Sequence, residues 1–107
     1  MDTIRYREGD HYPNEFQVKD DDGVAVDLTS ASTVTMEITL DDATTPTVLL
    51  SCTTVTAIDG TIRVDIPSTM VGGMYRVKWM VIDTTGTLIS YPTSEVQWLR
   101  VMSKYGV

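Results

Sequence analysis

The stretch "TVTMEITL" (Thr33–Leu40) alternates strictly. Val34, Met36, Ile38 and Leu40 fall on one side, and Thr33, Thr35, Glu37 and Thr39 on the other. Successive strand side chains point to opposite faces, so this is the pattern of a strand with one face in a core and one outside. The same rhythm returns along the chain. Phe16 and Val18 alternate with Glu15, Gln17 and Lys19; Ile62, Val64 and Ile66 with Arg63 and Asp65. Tyr75, Val77, Trp79 and Val81 alternate with Met74, Arg76, Lys78 and Met80, where Arg76 and Lys78 mark the solvent side. No long segment keeps apolar residues at helical spacing.

Turn chemistry separates the runs. "DDDG" (Asp20–Gly23), "IDGT" (Ile58–Thr61) and "DTTG" (Asp83–Gly86) join Asp, which bonds its own turn, to Gly, which accepts positive φ. "DDATTP" (Asp41–Pro46) reads as a longer loop, "PSTMVGG" (Pro67–Gly73) as a corner with room for one helical turn, and "DLTSAS" (Asp27–Ser32) likewise. Strands are expected near Ile4–Arg7, Phe16–Lys19, Val24–Asp27, Thr33–Leu40, Val48–Thr53, Thr61–Ile66, Met74–Ile82 and Glu95–Met102, with a short piece at Leu88–Tyr91. Turns every 8–12 residues between short strands predict one all-β domain spanning 1–107, an antiparallel sandwich or small barrel of about 7–9 strands.

Charge and cysteine usage narrow the function. Eight basic residues against fifteen acidic ones leave a net charge of −7. That balance opposes binding to nucleic acid or to an anionic membrane surface, both of which need Lys and Arg against phosphate. Cys52 is the one cysteine, so no disulfide within the chain is expected, and in "VLLSC" it reads as a strand residue. "MDTIRYREGD" lacks the apolar core of a signal peptide, and no run reaches the ~20 apolar residues of a membrane helix. Synthesis in a cytoplasm is expected, with the chain staying there or leaving inside an assembled particle.

Candidate sites divide into chemistry and contact. Asp20, Asp21 and Asp22 with Asp27 could contribute oxygens to calcium, yet they lack the twelve-residue spacing and distal glutamate of an EF-hand loop, and they read as a solvated turn. His11 is the one imidazole and lies in the lead-in "GDHYPNE"; there is no nucleophile elbow, "HExxH" or "CxxC". Gly72–Gly73 precede a strand, so they do not form a helix-based phosphate loop. No enzymatic role and no cofactor are expected. Trp79 reads as core. Trp98 shares one side of its strand with Val96, Arg100 and Met102, while Leu99 and Val101 share the other with Gln97. A last strand apolar on both sides is either central in a sheet or covered by a partner, and Trp and Arg are enriched at interface hot spots. Trp98, Arg100 and Met102, with Tyr105 in the tail and Ile4 and Tyr6 in the head, are the candidate partner contacts, since terminal segments can also pair with a neighbouring sheet edge.

The run Tyr6–Ile38 resembles the opening of the small immunoglobulin-like domains of tailed-bacteriophage virion proteins, among them the N-terminal domain of baseplate upper proteins and related neck, tail and fibre-anchoring proteins. The resemblance lies in the Gly9, Asp10 and Tyr12 lead-in, the strand with Phe16 and Val18, the Asp22–Gly23 turn, "VDLT" at Val26–Thr29 and the strand with Val34, Met36 and Ile38. Gly73 and Tyr75, the Asp83–Gly86 hairpin and the final strand Glu95–Val101 extend it over nearly the whole chain. It implies an immunoglobulin-like sandwich and a virion structural role as an adaptor, anchoring or decoration subunit in neck, tail, baseplate or capsid surface. The implied partners are other virion proteins, with the chain a homo-oligomer or present in many copies. A receptor-binding part is expected on another protein. The alternative from a different class is a ligand-binding sandwich, with Tyr6, Tyr12, Tyr91 or Trp98 as sugar platforms or the Asp20–Asp22 turn as a calcium site.

Overall fold

The computed structural model describes residues 3–7, 13–67 and 70–102. His11, Tyr12 and Tyr105 lie outside the described residues. Eight strands follow in order: β1 Ile4–Arg7, β2 Pro13–Gln17, β3 Ala31–Leu40, β4 Val48–Thr56, β5 Thr61–Asp65, β6 Gly73–Asp83, β7 Leu88–Tyr91 and β8 Gln97–Met102. A 3-10 turn at Ala57–Asp59 precedes β5.

The strands pair along one path, β1-β8-β6-β3-β4-β5-β2, which curls into two leaves. β4 makes the corner. Val48–Cys52 pairs with β3, and Thr53, Thr54 and Thr56 pair with β5. The larger leaf is β1, β8, β6, β3 and the start of β4; the smaller is β2, β5 and the end of β4. β7 and β8 both lie antiparallel to β6 along one edge, β7 against Trp79–Ile82 and β8 against Gly73–Val77. Between them Pro92, which has no N–H for a ladder, interrupts what would be a single strand. This is an all-β sandwich, and its neighbour order is of the immunoglobulin type.

The core lies between the leaves as the alternation predicts. Val34, Met36 and Ile38 of β3, Ile62 and Val64 of β5, and Tyr75, Val77, Trp79 and Val81 of β6 are buried together with Val18, Ile66, Leu99 and Val101. Phe16 of the small leaf meets Trp79 of the large one, ring centroids 6.0 Å apart. Leu40, expected inward, is exposed at the end of β3.

Three expectations are corrected. The sandwich is mixed rather than wholly antiparallel, because β1 runs parallel to β8, with Ile4 beside Leu99 and Arg7 beside Met102. Val24–Asp27 is not a strand. It holds a single bridge, Ala25 to Lys19, because the chain there returns over the Asp20–Gly23 turn. Asp27–Ser32 holds no helical turn; a 3-10 turn sits instead at Ala57–Asp59, ahead of a left-handed Gly60 (φ 73°) that closes the turn through its N–H to the Ala57 carbonyl, while the Pro67–Gly73 corner lies partly outside the described residues. Gly60 is also a packing requirement. A Cβ there would lie 2.6 Å from the Val26 carbonyl oxygen and 2.9 Å from that of Val18.

Candidate docking interface

The outward positions of the larger leaf follow from register. In β6, Met74, Arg76, Lys78, Met80 and Ile82 alternate with the buried Tyr75, Val77, Trp79 and Val81. Arg76 pairs with Trp98 and Met74 with Arg100 in β8; Arg5 pairs with Arg100 and Arg7 with Met102 across the parallel β1–β8 ladder. Thr35, Glu37 and Thr39 continue the same side in β3, and Leu49 in β4. The result is one side of one leaf that carries Arg5, Arg7, Arg76, Lys78 and Arg100, five of the chain's eight basic residues. Trp98, Met102, Met74 and Met80 are interleaved with them.

None of these five cations forms a salt bridge with another described residue. Among the described residues the one salt bridge is Arg63 to Glu15 on the smaller leaf, at 2.8 Å. Glu37 is the acid on the outward strand positions, opposite Lys78 in register. Asp41, Asp42 and Glu95 border the face from loops. Arg76 is partly buried: its guanidinium Nη2 donates to the Ala43 carbonyl of the β3–β4 loop, and its Nε is buried with no hydrogen-bond partner. A groove of ≈ 190 Å³ runs between these strands and the β7–β8 break, lined by Glu37, Thr39, Arg76, Lys78, Glu95 and Val96.

The acidic turn supports the far wall of that groove. Asp20 caps its own turn, its Oδ1 accepting from the Asp22 and Val24 amides. Asp21 reaches across the molecule. Its carboxylate accepts the hydroxyls of Thr93 (2.6 Å) and Ser94 (2.7 Å) and the amides of Ser94 and Glu95. The Thr93 and Ser94 hydroxyls, then the backbone amides, hold its pKa well below the usual carboxylate range. The turn was expected; its clamp on 93–95 was not, because a bond spanning more than seventy residues leaves no local signal.

The expected contact residues separate. Trp98 and Met102 are half-buried and Arg100 exposed, all on the outward side. β8 lies between β1 and β6, so its apolar inner side (Leu99, Val101) is core while Trp98 stays on the outer surface. Tyr6 is corrected: it is 4% exposed, and its hydroxyl donates to the Ile66 carbonyl at 3.2 Å. It is neither a sugar platform nor an outward contact. Ile4 shares its side and packs against the core. Arg5 and Arg7 are the outward residues of β1. Ile4, Phe16, Lys19 and Gln97 line a second cleft of ≈ 380 Å³ at the open side of the sandwich. Tyr91 is half-buried and packs against the core. Cys52 also packs on the core, and burial pushes its thiol up to about 11, so it is a neutral packing group near neutral pH.

Searches against protein-family models, curated proteins and solved structures return no match to this chain.

Proposed function

We propose that this chain is a non-enzymatic subunit of a tailed-bacteriophage particle, made in the host cytoplasm and built into the virion as an adaptor, anchoring or decoration protein. It acts by docking on other virion proteins. The observation that carries the docking role is the outer side of the larger leaf: arginines and a lysine that form no salt bridge among the described residues, interleaved with Trp98 and three methionines. Arg, Trp and Met are the types enriched at the centres of protein interfaces. The placement in a virion is supported by the resemblance carried by Tyr6–Ile38 and by the immunoglobulin-type strand order. Repetition of weak contacts over many copies would give a firm assembly without strong single contacts.

The test is incorporation. A tagged chain is produced in infected host cells and the particles are banded on a density gradient. The tagged chain is expected in the particle band. Trp98→Ala combined with Arg100→Glu is expected to lower its amount about tenfold or more, as loss of hot-spot residues does. Wild-type chain that stays at the top of the gradient would reject the reading.

A further inference from the structure

We propose that the cationic face of the larger leaf receives the acidic pole of a second copy of this chain, so that copies join face to pole. This rests on the docking reading above and names one occupant of the same face.

The pole is built by three loops. The Leu28 amide donates to the Ala57 carbonyl, and the Thr84 amide to the Ser30 carbonyl, so 27–30, 57–60 and 83–87 meet at one end of the sandwich. Each loop carries an Asp-x-Thr unit. Asp27, Asp59 and Asp83 each accept the hydroxyl and the amide of the threonine two residues on, namely Thr29, Thr61 and Thr85. These bonds hold Asp27 and Asp83 below the usual carboxylate range, so both stay charged into acid. On the 57–60 loop Ile58 stands 74% exposed, an apolar knob beside Asp59. The pole thus offers carboxylates with an apolar side chain beside them, and the face offers cations interleaved with Trp98, Met74 and Met80.

Charge selects the arrangement. Face against face would bring five cations, none in a salt bridge among the described residues, onto five more, which opposes a two-fold contact through this surface. Face to pole pairs opposite signs and is heterologous, the kind of contact that closes into rings or continues as stacks. Nucleic acid fits less well, because a net charge of −7 repels a polyanion at long range and the face is interrupted by methionines.

The experiment is the mass of the full chain by light scattering as concentration rises, at about 0.02 M and about 0.5 M salt, where screening lengths differ several-fold. At low salt the mass is expected to climb above that of one chain, and at high salt to return toward it. Two variants divide the contact. Lys78→Glu with Arg100→Glu reverses the face, and Ile58→Arg places a cation at the pole. Each is expected to weaken association about tenfold or more, while an equimolar mixture forms one-to-one pairs, since each variant supplies the half the other lacks. All three positions are exposed at the substituted end, and thermal melts verify folding. If the reversed pair unfolds, Lys78→Gln with Arg100→Gln replaces it, with a smaller loss expected. A wild-type chain that stays single at about 1 mM, association that strengthens with salt, or association that survives both variants would overturn the proposal. So would a DNA duplex that binds the wild type and is released by the face reversal. A chain that stays single yet bands with particles loses this proposal and keeps the docking reading; one that does neither loses both.

Discussion

Trp79 and Trp98 sit on neighbouring strands of the same leaf and face opposite ways. Trp79 is 1% exposed, covered from the other leaf by Phe16. Trp98 is half-buried on the outside, opposite Arg76 in register. The same side chain stabilises the fold in one place and is left with an open edge in the other. Burial, not residue type, decides which tryptophan belongs to stability and which is available for binding. Polar neighbours mark the difference: Trp79 is flanked in register by Met36 and Tyr91, Trp98 by a basic residue.

The comparison breaks most sharply by truncation. Trp79→Ala is expected to cost about 3–5 kcal/mol, the range for emptying a packed aromatic site. Trp98→Ala should cost less than about 1.5 kcal/mol, because water already reaches part of the ring. Urea unfolding of both variants measures the gap, and equal losses would mean that Trp98 is a second core residue. Next in size is Gly60→Ala, which asks whether the interior tolerates one added methyl in its backbone seam. With two carbonyl oxygens under 3.0 Å from the new Cβ, a loss of about 2–4 kcal/mol is expected. Gly86→Ala has the same positive φ but open space, and should lose about 1 kcal/mol.

Quenching sharpens the comparison without unfolding anything. Iodide, drawn to the cations, should quench Trp98 emission well beyond what caesium does, and neither ion should reach Trp79. Single-tryptophan variants with Phe at the other position separate the two signals. Comparable quenching by both ions would mean that the face carries no effective positive potential. The smallest effect concerns the turn behind the groove. Asp21 has a depressed pKa in the folded chain, so its contribution is fully present above its unfolded value of about 4 and is lost as pH falls below that. Asp21→Asn should therefore lower the melting temperature at pH 7, by an amount that shrinks progressively as pH falls below about 4. A gap that persists unchanged in acid would assign the bond to Thr93 and Ser94 a role that needs no charge.

Much of the fold is legible because alternation reports faces directly. The inward set of β3, β5 and β6 follows from "TVTMEITL", "TIRVDI" and "MYRVKWMVI", and β1 and β7 start and stop where the turn chemistry places them. Other features depend on partners far along the chain. In "IRYR" alternation says that Ile4 and Tyr6 share a side, but only the parallel ladder to β8 determines that this side is covered. "VAVD" has strand composition, yet its neighbour is its own hairpin arm and it pairs at Ala25 alone. The face was half legible. Arg76 and Lys78 read as outward, whereas the strand of Trp98 and Arg100 is apolar on both sides and its outer side is settled only when β8 pairs with β6. Arg5 and Arg7 join them through β1, and a basic surface on an acidic chain then emerges from segments that are each unremarkable in charge.

The parallel pairing of β1 with β8 also sets how the domain responds to pulling. The chain enters β1 at Ile4, beside Leu99, and leaves β8 at Met102, beside Arg7. Tension carried in through one end and out through the other pulls these two strands in opposite directions along their common axis. The ladder between them is then loaded in shear. Its hydrogen bonds share the force and must fail together, whereas a hairpin pulled at its open end gives way one rung at a time. A module held by a parallel clamp of this kind transmits tension along its length before it yields.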